Sequence, residues 1–419
     1  MPKSRGRDKT IGGEQTSCTD ANLFSCVFAR AEDCNTSSYS RISDNKAIDY
    51  LNRVMMSEEV LEQVVVNLQF AAQTIEVRLA SDIDEASWDK YVLGHAQSTV
   101  YHRFAWSRII ESIHGHKAYF LIAAQGTRIV GVLPLARQKT VLFGDTLVSL
   151  PFCPYGGPIA DTPEAERQLV AFALSVVKEI GTGHLELRRL YQGATSNSEV
   201  QIVATQDLYV TFRKALQAEH DLNMNAIPRK QRAMVRKGIK NNLVASIEDV
   251  SSFFPLYSDN IHRHGTPGSP KQFFESIARE FGKDCEVLIV RSADGLALSG
   301  VLSLFFKEEV LPFYAGDIFQ ARDFAANDFK YWEVMRRAVD RGARLFDYGR
   351  SKKGTGPFNF KTYWGFEAHQ MFYEHHGLVG PIPEHNPLNP KFQLMIGTWR
   401  KLPRPFVNWL GPKVVKGLG

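Results

Sequence analysis

The sequence predicts an α+β protein built from two units in tandem, with a basic helical segment between them. Two observations carry this. One order of elements (helix, three strands, helix, strand) is legible twice along the chain, and its strands are joined by turn signals suited to antiparallel pairing, not by the regular crossover helices of a doubly wound sheet. The length of 419 residues exceeds one ordinary hydrophobic core and suits two.

In the first unit, taken as residues 75–215, a strand is expected at 75–79 and helices at 85–93 and 102–113. Alternating runs at 117–124 and 128–136 flank Gln125-Gly126-Thr127, a hairpin turn. A further strand near 146–150 runs into the turn-rich stretch 151–158. Thr162 or Asp161 then caps a helix whose first turn holds Pro163, and strands follow at 185–187 and 208–212. The second unit, 216–380, opens on a helix-favouring basic block at 222–242 and a helix at 250–262. The shared order then returns: helix 271–281, strands 286–291, 298–306 and 310–314, helix 327–341, strand 344–348. Residues 1–57 are polar and without periodicity, which predicts disorder or a misjudged start, with Met55 and Met56 as internal alternatives. Residues 58–74 read as a helix or linker, and 381–419 as a basic, aromatic tail.

The charge balance, 50 Lys and Arg against 45 Asp and Glu, is too even to imply a nucleic-acid partner by itself. Its distribution is uneven. Arg229, Lys230, Arg232, Arg236, Lys237 and Lys240 fall in one stretch without an acid, and after Glu384 the chain has six cations and no acid. The five cysteines fit neither a zinc spacing nor a paired framework, which points to a reducing compartment and no metal. No run approaches the ~20 apolar residues of a membrane helix. A cytoplasmic protein is expected, with its tail as a candidate contact with the inner membrane. No G-x-G-x-x-G or P-loop pattern occurs; Gly354-Thr355-Gly356 lacks the third glycine.

Residues 346–366 hold the densest set of chemically useful groups. Asp347, Arg350, Ser351, Lys361 and Trp364 stand among glycines and aromatics at the end of a buried strand, a mixture suited to an anionic substrate. Lys352 and Lys353 read as solvated surface. Arg350 and Lys361 read as functional. Lys361 is expected on an extended segment, facing a cleft beside Arg350 and Tyr314. Asp347 either takes a proton from an amine or orients Arg350. His262 and His264 lack the partners of a metal site and read as residues of a cleft rim, next to Arg263.

Asp347-Tyr348-Gly349-Arg350-Ser351, Gly354-Thr355-Gly356, Phe360-Lys361 and Trp364-Gly365-Phe366 resemble the C-terminal signature of FemAB proteins, in the branch associated with exosortase/PEP-CTERM systems. Tyr155-Gly156-Gly157-Pro158, His264-Gly265-Thr266-Pro267 and Tyr314-Ala315-Gly316 match it as well. The resemblance covers the chain from residue 75 onward. It implies tandem GNAT-like (acyl-CoA N-acyltransferase) domains and transfer of an acyl or aminoacyl group to an amine of a cell-envelope or exopolysaccharide precursor, such as an amino sugar. It implies no tightly bound cofactor, with acyl-CoA or aminoacyl-tRNA as donor. By the same resemblance Lys361 is a catalytic or binding cation and Tyr314 lines its cleft; Asp347 is the second catalytic candidate. Arg350, Ser351, Trp364, Arg263 and Arg236 complete the candidate substrate-binding set. The pyrophosphate loop of ordinary GNAT enzymes is missing after Tyr314, which sets CoA in question. Competing functions are RNA binding through the 229–240 block and a catalytically inactive scaffold of the same fold. The tail aromatics either meet an anionic membrane or, in the case of Phe392, Leu394, Met395 and Trp399, pack on the second unit.

Overall fold

Thr162 accepts a hydrogen bond from the Ala165 amide, Pro163 occupies the first turn, and Gly181 ends the helix in the left-handed region, so Pro163–Ile180 forms with the limits its caps dictate. Its stripe of Leu169, Val170, Ala173, Val176 and Val177 is buried over a sheet. This is a computed structural model, and it describes residues 74–140, 144–193, 203–204, 209–376 and 396–417. All of them lie in the unit Leu68–Gly419. The expectations for residues 1–57, 58–73 and 381–395 fall outside the described residues.

The first half runs β1 (Glu76–Leu79), α1 (Glu85–Gly94), α2 (Ala105–Ile109), β2 (Leu121–Gln125), β3 (Arg128–Leu133), β4 (Ala136–Thr140), β5 (Gly144–Val148), β6 (Ile159–Ala160), α3 (Pro163–Ile180), β7 (His184–Arg189), β8 (Val203–Ala204) and β9 (Tyr209–Ala215). Then come α4 (His220–Ala226) and the basic α5 (Arg229–Lys240). The second half continues with β10 (Val244–Glu248), α6 (Val250–His264), α7 (Lys271–Phe281), β11 (Cys285–Arg291), β12 (Ala297–Phe306), β13 (Glu309–Asp317), α8 (Ala326–Asp340), β14 (Leu345–Asp347), β15 (Ser351–Lys352), α9 (Gly356–Tyr363), β16 (Glu367–Gln370), β17 (Phe372–His376) and α10 (Arg404–Val415).

Among the described residues the strands form three sheets, ordered β1-β2-β3-β6, β4-β5-β7-β17-β8 and β10-β11-β12-β13-β14-β9-β15, with β16 also on β9. The halves repeat one motif, an antiparallel meander and then strand, helix, parallel strand: β5-α3-β7 in the first, β13-α8-β14 in the second. They also exchange strands. β9 of the first half pairs antiparallel with β14, and β17 of the second half pairs antiparallel with β7. The boundary at 215/216 therefore divides the element order but not the sheets.

Two local readings change. The run 128–136 divides into β3 and β4, in different sheets, because Pro134 between them has no N–H to give to a ladder. The segment carrying Lys361 is a helix, α9, not an extended strand. Pro357 lies at its start, and its amides bond back four residues.

Candidate active site

β13 and β14 run parallel but pair only at Glu309↔Leu345 and Val310↔Phe346. Beyond these positions they part. On one side β13 bulges, because Tyr314 stands opposite Leu302 and Pro312 opposite Ser303, leaving Phe313 as the extra residue. On the other side Asp347 ends β14, and Gly349 takes a positive φ of 70° that turns the chain away. The wedge is roofed by the first half. Tyr101 packs edge-on against Tyr155, 5.0 Å between centroids, and its ring meets Phe313 at 5.6 Å.

Asp347 is 0% exposed. Its carboxylate accepts hydrogen bonds from Tyr155 Oη at 2.6 Å, Thr211 Oγ1 at 2.8 Å and the Gly349 amide at 2.8 Å, and Arg213 Nε lies 3.3 Å away. A carboxylate so fully engaged is a structural anchor. Of the two roles expected for it, taking a proton from an amine is disfavoured by this geometry. It is also the place where the halves are tied, since Tyr155 and Thr211 both come from the first.

Arg350 follows on the same turn. Its Nη1 donates to Tyr373 Oη at 2.9 Å, and its guanidinium stands 5.0 Å from the centre of the Tyr209 ring. Arg350 is solvent-exposed, yet the groups within its electrostatic reach, Tyr101, Cys153 and Tyr373, are buried. It thus lines a recess that solvent enters. The protein packed around its guanidinium displaces water and opposes the charge, but the Tyr373 and Tyr209 hydroxyls outweigh this and hold it firmly protonated. Tyr314, half-buried on β13, feels the same charge and stacks edge-on against Phe273 and Phe274. The Tyr101 hydroxyl is buried with no hydrogen-bond partner.

Lys361 is close by but faces differently from expectation. Its Nζ donates to the carbonyls of Gly349 at 2.8 Å and Arg350 at 3.2 Å, so it sits beneath the turn that carries Arg350. The residue is 8% exposed. Burial pulls its ammonium down to about 7, with Asp347 opposing the shift and Arg350 adding to it. Ser351 is buried on β15, its hydroxyl unpartnered. Asp347, Arg350, Ser351, Lys361 and Tyr314 are thus brought together.

Three candidates are not. Trp364 is 0% exposed and donates its indole N–H to Asp328, which makes it a core residue with no surface for a substrate. Arg263 is tied to Asp259 at 2.9 Å and to the end of β13 through Asp317. Arg236 lies on the exposed side of α5, with no hydrogen bond or ion pair to the Asp347 group among the described residues. Where a GNAT pyrophosphate loop is expected, β13 runs into a short turn, Phe319–Arg322, before α8. The first turn of α8 carries Asp328, whose carboxyl burial raises to about 6. A buried acid there is a poor neighbour for a diphosphate.

Tyr101, Thr211, Arg213 and Tyr373 were not singled out by the sequence. For Arg188 a signal existed: two consecutive arginines close β7, whose Leu185 and Leu187 mark a buried strand, and Arg188 is buried with its Nη1 on the Leu150 and Cys153 carbonyls.

Residues 224–362 match the family model described as acetyltransferase (GNAT) domain. No curated protein matches the sequence. Among solved structures the chain is similar to FemX, at 14% identity and a TM-score of 0.55, over 77% of this chain and all of that one. It is similar to the C-terminal domain of a putative lysylphosphatidylglycerol synthetase from Agrobacterium fabrum, at 10% identity and a TM-score of 0.50, over 76% of this chain and 97% of that one. A tandem GNAT protein from the clavulanic acid biosynthesis pathway aligns at 10% identity with a TM-score of 0.48, over 74% of this chain and 100% of that one. The chain has a tandem GNAT-like α+β fold, with the matched acetyltransferase domain in its second half.

Proposed function

We propose that the protein is an N-acyltransferase whose reaction takes place in the wedge between β13 and β14. The observation that carries this reading is the parted parallel pair, with solvent-accessible Arg350 at its opening. Past Val310 the facing edge of β13 has no strand partner among the described residues, so an extended, amide-bearing acyl donor can lie along it. The acceptor amine attacks the acyl carbonyl carbon and the new C–N bond forms. The C–S or C–O bond to the donor breaks, the leaving group takes up a proton and the amine releases one. We assign the carbonyl oxygen, as charge builds on it, to backbone amides on the edge of β13 that β14 leaves; one such donor is typically worth ~3–4 kcal/mol. Arg350 holds an anionic group of donor or acceptor. Lys361 positions Arg350 by gripping the two carbonyls of its turn, and Asp347 fixes the start of that turn.

The resemblance of residues 347–366 to the exosortase/PEP-CTERM-associated FemAB branch supports a cytoplasmic reaction on an amine of an envelope or exopolysaccharide precursor. The donor is acyl-CoA or aminoacyl-tRNA. The short turn before α8 and the buried Asp328 disfavour a GNAT-type diphosphate site, whereas α5 offers Arg229, Lys230, Arg236, Lys237 and Lys240 on its exposed side, with no ion pair among the described residues. These observations favour aminoacyl-tRNA, the extended polyanion, as donor.

The test is product mass spectrometry after incubating the protein with acyl-CoA or charged tRNA and amino-sugar acceptors. Arg350→Ala should lower kcat/KM on the order of a hundredfold, as for one lost charged contact, and leave thermal melting nearly unchanged. Transfer at the wild-type rate by that variant would remove Arg350 from the site.

A further inference from the structure

The C-terminal helix α10 has two unlike faces. Its inner face is bound to the body: Val407 is buried, Asn408 accepts a hydrogen bond from Ser258 at 2.8 Å, and Gly411 lies so close to the Gly268 backbone that a Cβ would stand 3.2 Å from its nitrogen. Arg404 pairs with Asp259, and the carbonyl of Lys416 accepts from His116 at 2.9 Å. The outer face follows the spacing 406, 409, 413, one side of a helix. Phe406 is 44% and Trp409 59% exposed, their rings 5.9 Å apart, and Lys413 Nζ stands 3.9 Å over the indole. Residues 396–417 hold Arg400, Lys401, Arg404, Lys413 and Lys416 and no acid. Lys401 and Lys413 are exposed and have no acidic partner among the described residues.

We infer that this face docks on an anionic phospholipid surface. Aromatic rings beside lysines, on a helix otherwise clamped to the protein, combine the two attractions that peripheral binding needs. Tryptophan and phenylalanine enter the headgroup boundary, and each cation near an anionic bilayer adds an attraction that salt screens. Charge decides against a second copy as occupant, because paired α10 faces would bring Lys413 of each copy together and add the basic residues around the helix, with no acid to answer them. Two aromatic side chains are also too small an apolar patch for a stable dimer. Docking has a consequence for the wedge. α10 covers α6 and the loop around Gly268 and Ser269, the Ser269 amide donates to Tyr257 Oη at 3.1 Å, and the Tyr257 ring meets Tyr314 at 5.9 Å. The bilayer would then lie against the layer that backs the Tyr314 wall. This docking does not depend on the acyl-transfer reading, and its test involves no turnover.

The experiment is co-sedimentation of the full-length protein with phosphatidylcholine vesicles, with and without phosphatidylglycerol. Association is expected only with the anionic vesicles and should weaken as salt is raised. Replacing both aromatics (Phe406→Ser with Trp409→Ser) should weaken it at least about tenfold. So should the charge reversal Lys401→Glu with Lys413→Glu. Melting of both variants should match the wild type, since the substituted side chains are exposed. If one pair misfolds, the other, which acts through a different attraction, still decides. Absence of association with anionic vesicles overturns the inference. So does association that neither pair of substitutions changes. A concentration-dependent dimer dispersed by the aromatic substitutions, without vesicle binding, would assign the face to a second copy instead.

Discussion

Lys361→Met tests the buried ammonium beneath the Arg350 turn, and needs no knowledge of the substrate. In the folded protein burial brings the lysine from 10.5 to about 7. At 1.36 kcal/mol per unit this is a penalty of about 5 kcal/mol when the charge is present. Methionine escapes that penalty but leaves the Gly349 and Arg350 carbonyls without a charged donor, a loss of roughly 1.5–3 kcal/mol each. The terms nearly cancel, so stability near neutral pH should change by no more than ~2 kcal/mol. The pH dependence does not cancel. The folded-state value lies below the unfolded one, so between about pH 7 and 10.5 the unfolded chain holds one more proton. Below that window both states are protonated and the penalty is fully present. Within it, wild-type stability rises relative to the variant with the slope of one proton, reaching ~3 kcal/mol by about pH 9. Urea unfolding of both proteins from about pH 6 to pH 9 measures the gap. A gap that stays constant over this range would refute a lysine buried with a lowered affinity for its proton. Lys361→Arg keeps a cation under the turn and should retain transfer that Lys361→Met loses.

Two further outcomes follow from the geometry. Gly316→Ala should destabilise by about 3 kcal/mol or more, or prevent folding, because its Cβ would stand 2.4 Å from the Tyr257 nitrogen and Cα, where only backbone movement makes room; a melting temperature near that of the wild type would contradict the close seating of α6 on β13. Tyr155→Phe removes one donor from the buried Asp347 carboxylate and should cost roughly 1.5–3 kcal/mol in urea unfolding, against near zero if the hydroxyl were idle.

What the sequence made legible was local. The helices at 163–180 and 271–281 were expected with the limits they have, because their end signals are short-range: Thr162, Pro163 and Gly181 for the first, Pro270 and Gly282 for the second. The order of elements in each half was legible for the same reason. Lys361 was misplaced by reading Phe360 and Thr362 as one face of an alternating strand, although Thr355 followed by Pro357 is a helix start. That error also aimed its side chain into the recess instead of under the Gly349–Arg350 carbonyls. The site residues that were overlooked, Tyr101, Thr211, Arg213 and Tyr373, sit far from 347 in the chain. Thr211 and Arg213 reach it because β9 pairs with β14, Tyr373 lies on β17, which pairs with β7, and Tyr101 arrives by packing on Tyr155; no local pattern encodes such long-range contacts.

The exchange of strands makes the halves look equivalent, yet the structure favours only one of them for chemistry. Each half contains a parallel pair that ends and must part. In the first half, β5 and β7 pair at three positions, from Thr146↔His184 to Val148↔Glu186. The opening after them is stitched shut. The Ser149 amide donates to the Glu186 carbonyl, Ser149 Oγ accepts from the Arg188 amide at 2.7 Å, and the Gly156 and Gly157 amides both donate to the Arg188 carbonyl. Gly157 has to be a glycine for this, since a Cβ there would meet Arg189 Cγ at 2.9 Å. The loop that does the stitching carries Leu150 and Phe152 at positive φ, a strained conformation for such side chains, held in place by the bonds around it. In the second half no such loop returns between β13 and β14. The place is taken instead by Tyr155 and Tyr101, which enter from the first half and leave one hydroxyl without a partner. A backbone edge closed by its own chain has nothing to offer a ligand, and one that is parted and roofed by another layer does. The first half is therefore the closed copy, supplying the loop that roofs the open one.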